Sequence, residues 1–170
     1  NTFKNNYSGK VKWGDLVVHG VQADLADIDQ LKQVGCSVAL CPRSNAALNV
    51  GKAPVSAYLE AAVPLALGTD SRASSASLSL WDEIAFAMDW FSDEATPRDW
   101  LEIATLGGAK ALGLQNRMGQ LSSGFEASFQ VVTLPEMPCA DALEETLCHS
   151  GQDVKVTHLY LAAENVLPEN

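Results

Sequence analysis

The sequence is short of positive charge. Lys and Arg number 11 against 21 Asp and Glu over 170 residues, a formal net charge of −10, and no run of basic residues gathers the few cations together. Such a chain offers no electrostatic footprint for a phosphate backbone, so nucleic acid is not an expected partner. Long apolar runs are missing as well. No stretch approaches the roughly 20 residues that span a bilayer, and no charged-then-apolar leader opens the chain, so no membrane association is expected and a cytoplasmic location is. Cysteine is sparse: Cys36, Cys41, Cys139 and Cys148 show neither the C-x-x-C spacing of a zinc knuckle nor the density of a secreted disulfide scaffold. They read as reduced core thiols. Asn6-Tyr7-Ser8 matches the glycosylation sequon and is read as a chance match. Position 1 is Asn rather than Met, which reads as processing or as a piece of something longer.

What is present is a sequence 47% hydrophobic and 19% charged, enough to bury one domain's core. Three apolar runs recur early: Leu16-Val17-Val18, Val38-Ala39-Leu40 and Leu65-Ala66-Leu67. They are continuous rather than alternating, which predicts parallel strands covered on both faces. Between the first two, Asp24 to Val34 carries an acidic cap, apolar Leu25, Ile28 and Leu31, and Gly35 just beyond, the start and stop signals of a helix. Between the second and third, Pro54 opens a stretch with Val55, Tyr58, Leu59 and Ala62 at helical spacing. Strand, helix, strand, helix, strand implies right-handed crossovers in a parallel α/β sheet.

After the third run the pattern is helical: Trp81, Ile84, Ala85 and Met88 make one stripe, Thr96-Pro97 starts another helix, and glycines bracket a short one over Ala109 to Leu112. From Gly119 the texture changes to strand-like pieces, Ser128 to Thr133 and Val154 to Leu161, with a helix expected near Ala140 to Cys148. This tail reads as a separate small β element.

Polar residues fall at informative places. His19 follows the first run, Cys41-Pro42-Arg43-Ser44-Asn45 the second, and Gly68-Thr69-Asp70-Ser71 the third. In parallel α/β sheets the ligand site lies at the carboxyl ends of the strands, so these side chains are expected to converge on one edge. Each alone has a structural reading as a cap or turn residue; three successive strands delivering such chemistry to one edge point to a site. His149 and His158 lie in the tail and are assigned core or surface roles. Asp82-Glu83 and Asp93-Glu94 read as solvated faces and helix-start charges, with Glu83 near Asp70 in sequence.

The succession V-V-H-G (17 to 20), C-P-R-S-N (41 to 45), A-L-G-T-D-S (66 to 71), S-L-W-D-E (79 to 83), A-T-L-G-G-A-K-A-L-G (104 to 113) and G-Q-L-S-S-G (119 to 124) resembles the C-terminal half of the amidohydrolase superfamily. The nearest branch is similar to deaminases and chlorohydrolases acting on adenosine derivatives, aminofutalosine, guanine and triazines. The resemblance implies the C-terminal part of a metal-dependent (β/α)8 barrel of TIM type, with about three βα units and barrel strands six to eight over residues 1–118. Residues 119–170 would be part of a small β-sandwich. It implies one zinc or iron. Asp70 would be a metal ligand that also hydrogen-bonds the attacking water, and His19 would contact that water and the developing tetrahedral centre. Arg43, Ser44, Asn45 and Ser71 would meet the substrate, with Arg43 on an anionic group of it. Amine or chloride would be expelled.

The departures are large. No H-x-H occurs, no upstream His is followed by a proton-shuttle Glu, and a closed barrel needs roughly 200 residues at least and typically about 250. The remaining metal ligands are therefore expected from outside this chain, which alone is expected to bind metal weakly and to be inactive. Its unpaired strand edges call for the missing barrel half or another copy of the chain, so a homo-oligomer is one expectation. Gln22 stands where many relatives carry a second His, and Glu126-Ala127-Ser128 where Ala-Asp is common. The leading functional expectation is hydrolytic deamination of a purine-bearing or related small heterocycle. The alternatives are a chlorohydrolase or other C–N hydrolase of the same branch, and a non-catalytic α/β remnant serving binding or assembly.

Overall fold

Strands β1 (Leu16–Val18), β2 (Ser37–Leu40) and β3 (Leu65–Leu67) pair in parallel, in that order, in a computed structural model that describes residues 14–167. The Asn6 sequon lies outside the described residues. Val17 sits opposite Val38, Val38 opposite Leu65, and Ala39 opposite Ala66. β2 and β3 are covered as continuous apolar runs should be. β1 differs from that expectation: Leu16 and Val18 are 41% and 49% exposed, whereas β3, the other edge of the sheet, is buried throughout.

Local sequence explains the helices. α1 (Leu25–Gln33) opens on a reciprocal capping box in which Asp24 accepts from the Asp27 amide and Asp27 from the Asp24 amide, and it buries Ile28 and Leu31. α2 (Pro42–Ala47) starts directly after β2 with Pro42 in its first turn, so C-P-R-S-N is helical from Pro42 onward. α3 (Val55–Glu60) follows, burying Val55 and Tyr58. α4 (Leu80–Trp90) is capped by Ser79. α5 (Pro97–Glu102) starts on a Thr96/Asp99 capping box and runs through a π-helical turn, Ile103–Gly107, into α6 (Gly108–Ala111). The turn lies against β3, where a Cβ on Gly107 would stand 2.1 Å from the Leu65 carbonyl oxygen. Only glycine permits that approach.

One core joins these pieces. Val38, Leu40, Leu65, Tyr58, Ile84 and Trp100 belong to it, and the Trp100 and Phe91 rings lie 5.6 Å apart. The second sheet is antiparallel, ordered β4 (Phe129–Thr133), β5 (Lys155–Leu161), β6 (Glu164–Asn165), with a register shift between Val131 and Val132. Helix α7 (Leu143–Ser150) precedes β5. α7 puts Cys148 into the same core as the parallel sheet, with the thiol donating to the Pro97 carbonyl at 3.3 Å. None of the four cysteines forms a disulfide, and Cys139 is exposed, in contrast to the buried thiol expected there. No described helix is long and apolar enough to cross a membrane.

Candidate active site

The carboxyl ends of the three parallel strands meet as the sequence pattern predicts. His19 leaves β1 with φ 70°, and Asp70 follows β3 with φ 57°. Left-handed backbone is uncommon outside glycine and tends to persist where surrounding structure imposes it, at functional sites among others. The ladder holds His19 in place, its amide donating to the Ala39 carbonyl at 2.8 Å. Its Nδ1 is 2.9 Å from Asn45 Oδ1, and its Nε2 is 4.0 Å from Asp70 Oδ2, with the two side chains 37% and 32% exposed. Imidazole and carboxylate thus lie side by side and partly exposed.

Behind them lies a buried layer. Ser44 Oγ donates to Asp70 Oδ2 at 2.6 Å, and Ser74 Oγ is 2.8 Å from Ser44 Oγ and 3.2 Å from that same oxygen. The Ser44 hydrogen bond is the chief reason the Asp70 carboxyl titrates below its ordinary value; Ser74 and the nearby imidazole act in the same direction, against partial desolvation. Ser44 and Asn45, expected to meet substrate, are instead buried and spend their polar atoms on Asp70 and His19. Ser71 is exposed at the edge, its Oγ accepting from the Ala73 amide at 3.3 Å. Cys41, at the head of α2, has its thiol pushed up to about 11 by burial, reinforced by the charges of Asp70 and Glu83, so it stays protonated.

Arg43 has different partners from those expected. Its Nη1 lies 3.6 Å from both Asp82 Oδ2 and Glu83 Oε1 and donates to Ser77 Oγ at 2.9 Å, and Ser77 in turn donates to Asp82. Two carboxylates within the chain thus meet the guanidinium charge. Glu83 corrects a second expectation: it does not lie on a solvated face but is fully buried. Burial raises its pKa, while the Arg43 amide, the Arg43 charge and Ser75 hold it back. Sequence reasoning passed over Ser75 and Ser77, for which the run of serines from 71 to 77 ahead of an acidic pair was the available signal.

Asp70 and His19 form a donor set of one carboxylate and one imidazole, suited to zinc or iron, with the ring fixed through its other nitrogen as metal-ligating histidines usually are. Catalytic zinc usually takes three protein ligands. Among the described residues no group of three or more His, Cys, Asp or Glu converges to hold a metal. His149 is on α7, 3.9 Å from Asp89, and His158 is on β5 beside Thr157.

The Amidohydrolase family model matches residues 11–166. A 5-methylthioadenosine/S-adenosylhomocysteine deaminase of Halobacterium salinarum is 36% identical over 154 residues, covering 84% of this chain and 35% of the relative. A 5'-deoxyadenosine deaminase of Methanosarcina mazei is 35% identical over 152 residues, with 84% and 35% covered. Among solved structures, an adenosine deaminase from Xanthomonas campestris with bound zinc superposes with a TM-score of 0.80 at 32% identity, over 89% of this chain and 36% of that one. E. coli guanine deaminase shares the fold with a TM-score of 0.80 at 24% identity, over 91% of this chain and 39% of that one. The chain spans about a third of the length of the curated relatives it matches.

Proposed function

The chain belongs to the amidohydrolase family, and on that premise we propose that it forms part of a hydrolase of C–N bonds, a deaminase acting on a purine-bearing or related small heterocycle. The observation that carries this reading is the pairing of His19 and Asp70 at 4.0 Å, each in left-handed backbone and each braced from behind by a buried side chain. The relatives named as deaminases of adenosine derivatives support the substrate class.

In this reading water adds to the ring carbon bearing the amino group, and ammonia leaves. Asp70, kept ionised by the Ser44 hydroxyl, takes a proton from the attacking water at its carboxylate and returns it toward the departing amine. His19 Nε2 faces the same space and stabilises charge as the tetrahedral centre forms. Asn45 keeps that ring in one orientation. Ser71, exposed just after Asp70, would contact substrate in this reading. Zinc or iron held by Asp70 beside His19, with further ligands from outside the described residues, would supply an acidified water, its pKa lowered from about 15.7 toward 7.

Three βα units cannot close a barrel that requires roughly 200 residues at least. The exposed β1 edge fits completion by further polypeptide or by a second copy of the chain.

The test is ammonia release from 5'-methylthioadenosine, adenosine and guanine by the protein expressed from its full reading frame, beside residues 1–170 alone. The expected result is deamination of an adenine nucleoside, a fall of about 10²-fold or more for Asp70→Asn and for His19→Ala, and no turnover by the 170 residues alone. No ammonia from the full-frame protein would remove the reading, and halide release from a chlorinated triazine would move it to a chlorohydrolase. One tightly held zinc per isolated chain would overturn the claim that ligands come from elsewhere.

A further inference from the structure

Glu83 is a fully buried carboxylate with a task no solvated acid could perform. It is in the first turn of α4, yet its two oxygens reach both segments that build the site. Oε2 accepts the Arg43 backbone amide at 3.1 Å, one residue before Ser44. Oε1 accepts the Ser75 hydroxyl at 3.3 Å, one residue after Ser74, and lies 3.6 Å from Arg43 Nη1. Ser44 and Ser74 are the two hydroxyls on Asp70 Oδ2. A buried charge is tolerated only when paired and hydrogen-bonded. Here every group that satisfies it belongs to the start of α2 or to the segment after β3.

We propose that Glu83 is a positioning residue for the reaction, a clamp that fixes the head of α2 against the segment after β3 and so delivers Ser44 and Ser74 together to Asp70. Arg43 is the other half of the clamp, neutralising the buried carboxylate and extending the tie to Ser77 and Asp82. This rests on the reading that Asp70 belongs to the reacting centre. A displacement near 1 Å of a supporting group can cost about 10²-fold in rate, so a loosened clamp reads out in kcat while leaving groups that only bind substrate in place.

The experiment compares Glu83→Ala, Glu83→Gln and Ser75→Ala in the full-reading-frame protein, below each variant's melting temperature. Steady-state deamination is measured together with hydrogen exchange of the amides at 41–45. In Glu83→Ala, kcat should fall about tenfold or more with KM within about twofold, and exchange at 41–45 should quicken about tenfold or more. Glu83→Gln keeps an oxygen for the Arg43 amide and should restore both to within about threefold. If Glu83→Ala does not fold, Ser75→Ala, which frees only the segment after β3, carries the test with an expected fall of about threefold in kcat. Unchanged exchange and kcat in the variant that folds, or Glu83→Gln as impaired as Glu83→Ala, would overturn the clamp. An inactive wild-type protein would strike the functional reading instead, a result distinguishable from an active wild type whose Glu83→Ala variant is equally fast.

Discussion

β2 and β3 carry short apolar runs that are almost wholly buried, whereas β4 and β5 leave residues such as Gln130, Val131, Lys155 and His158 at the surface along their length. Two histidines make the contrast concrete. His158 sits mid-strand on β5, stacked on Tyr160 with ring centroids 6.1 Å apart. His19 sits past the end of β1, tied to Asn45 and facing Asp70. A strand covered on both faces, as β2 and β3 are, has no room for polar chemistry along its length, so Ser44, Asn45 and Asp70 collect where those strands stop, beside His19. A half-exposed strand disperses them.

The comparison breaks most visibly at the core. Trp100→Ala should cost about 3–5 kcal/mol in chemical denaturation, since Trp100 is fully buried within the cluster that supports the parallel sheet. Gly107→Ala should cost about 2–3 kcal/mol, because its Cβ would collide with the Leu65 carbonyl of β3. In the antiparallel sheet, Phe129 stacks on Tyr160 with centroids 4.7 Å apart, and Phe129→Ala should cost only about 1 kcal/mol. A loss there as large as that of Trp100→Ala would erase the distinction between the two sheets.

The smallest effect expected is a change in slope. The folded-state pKa of Asp70 is depressed, so its contribution to stability is complete above its ordinary value of 3.8 and is lost as pH falls through the lower folded value. Ser44→Ala removes the principal cause of that depression. Below 3.8 the melting temperature of the variant should therefore fall less steeply than that of the wild type. Parallel slopes would show that Ser44 does not set the ionisation of Asp70.

Much of this was legible in the chain itself. The three parallel strands were readable as continuous apolar runs, although only β2 and β3 are covered on both faces, and the placing of His19 and Asp70 followed from where those runs end. Glu83 was not readable: an acid in the first turn of a helix looks the same in sequence whether it faces water or an arginine. Nor was the commitment of Arg43 to Asp82, since the two stand 39 positions apart (82 − 43) and meet only after β3 has turned back into α4. The part of α7 in the core was hidden too. Its composition suits the tail, and only Cys148 carries it inward.

The amide oxygen of Asn45 can accept a hydrogen but never give one, and it is the atom lying 2.9 Å from His19 Nδ1. The ring must therefore keep its hydrogen on that nitrogen whenever it is uncharged, which leaves a lone pair on Nε2, the side toward Asp70. A single buried carboxamide thus dictates the tautomer. Any proton the uncharged imidazole gains must enter at the nitrogen on the side of Asp70.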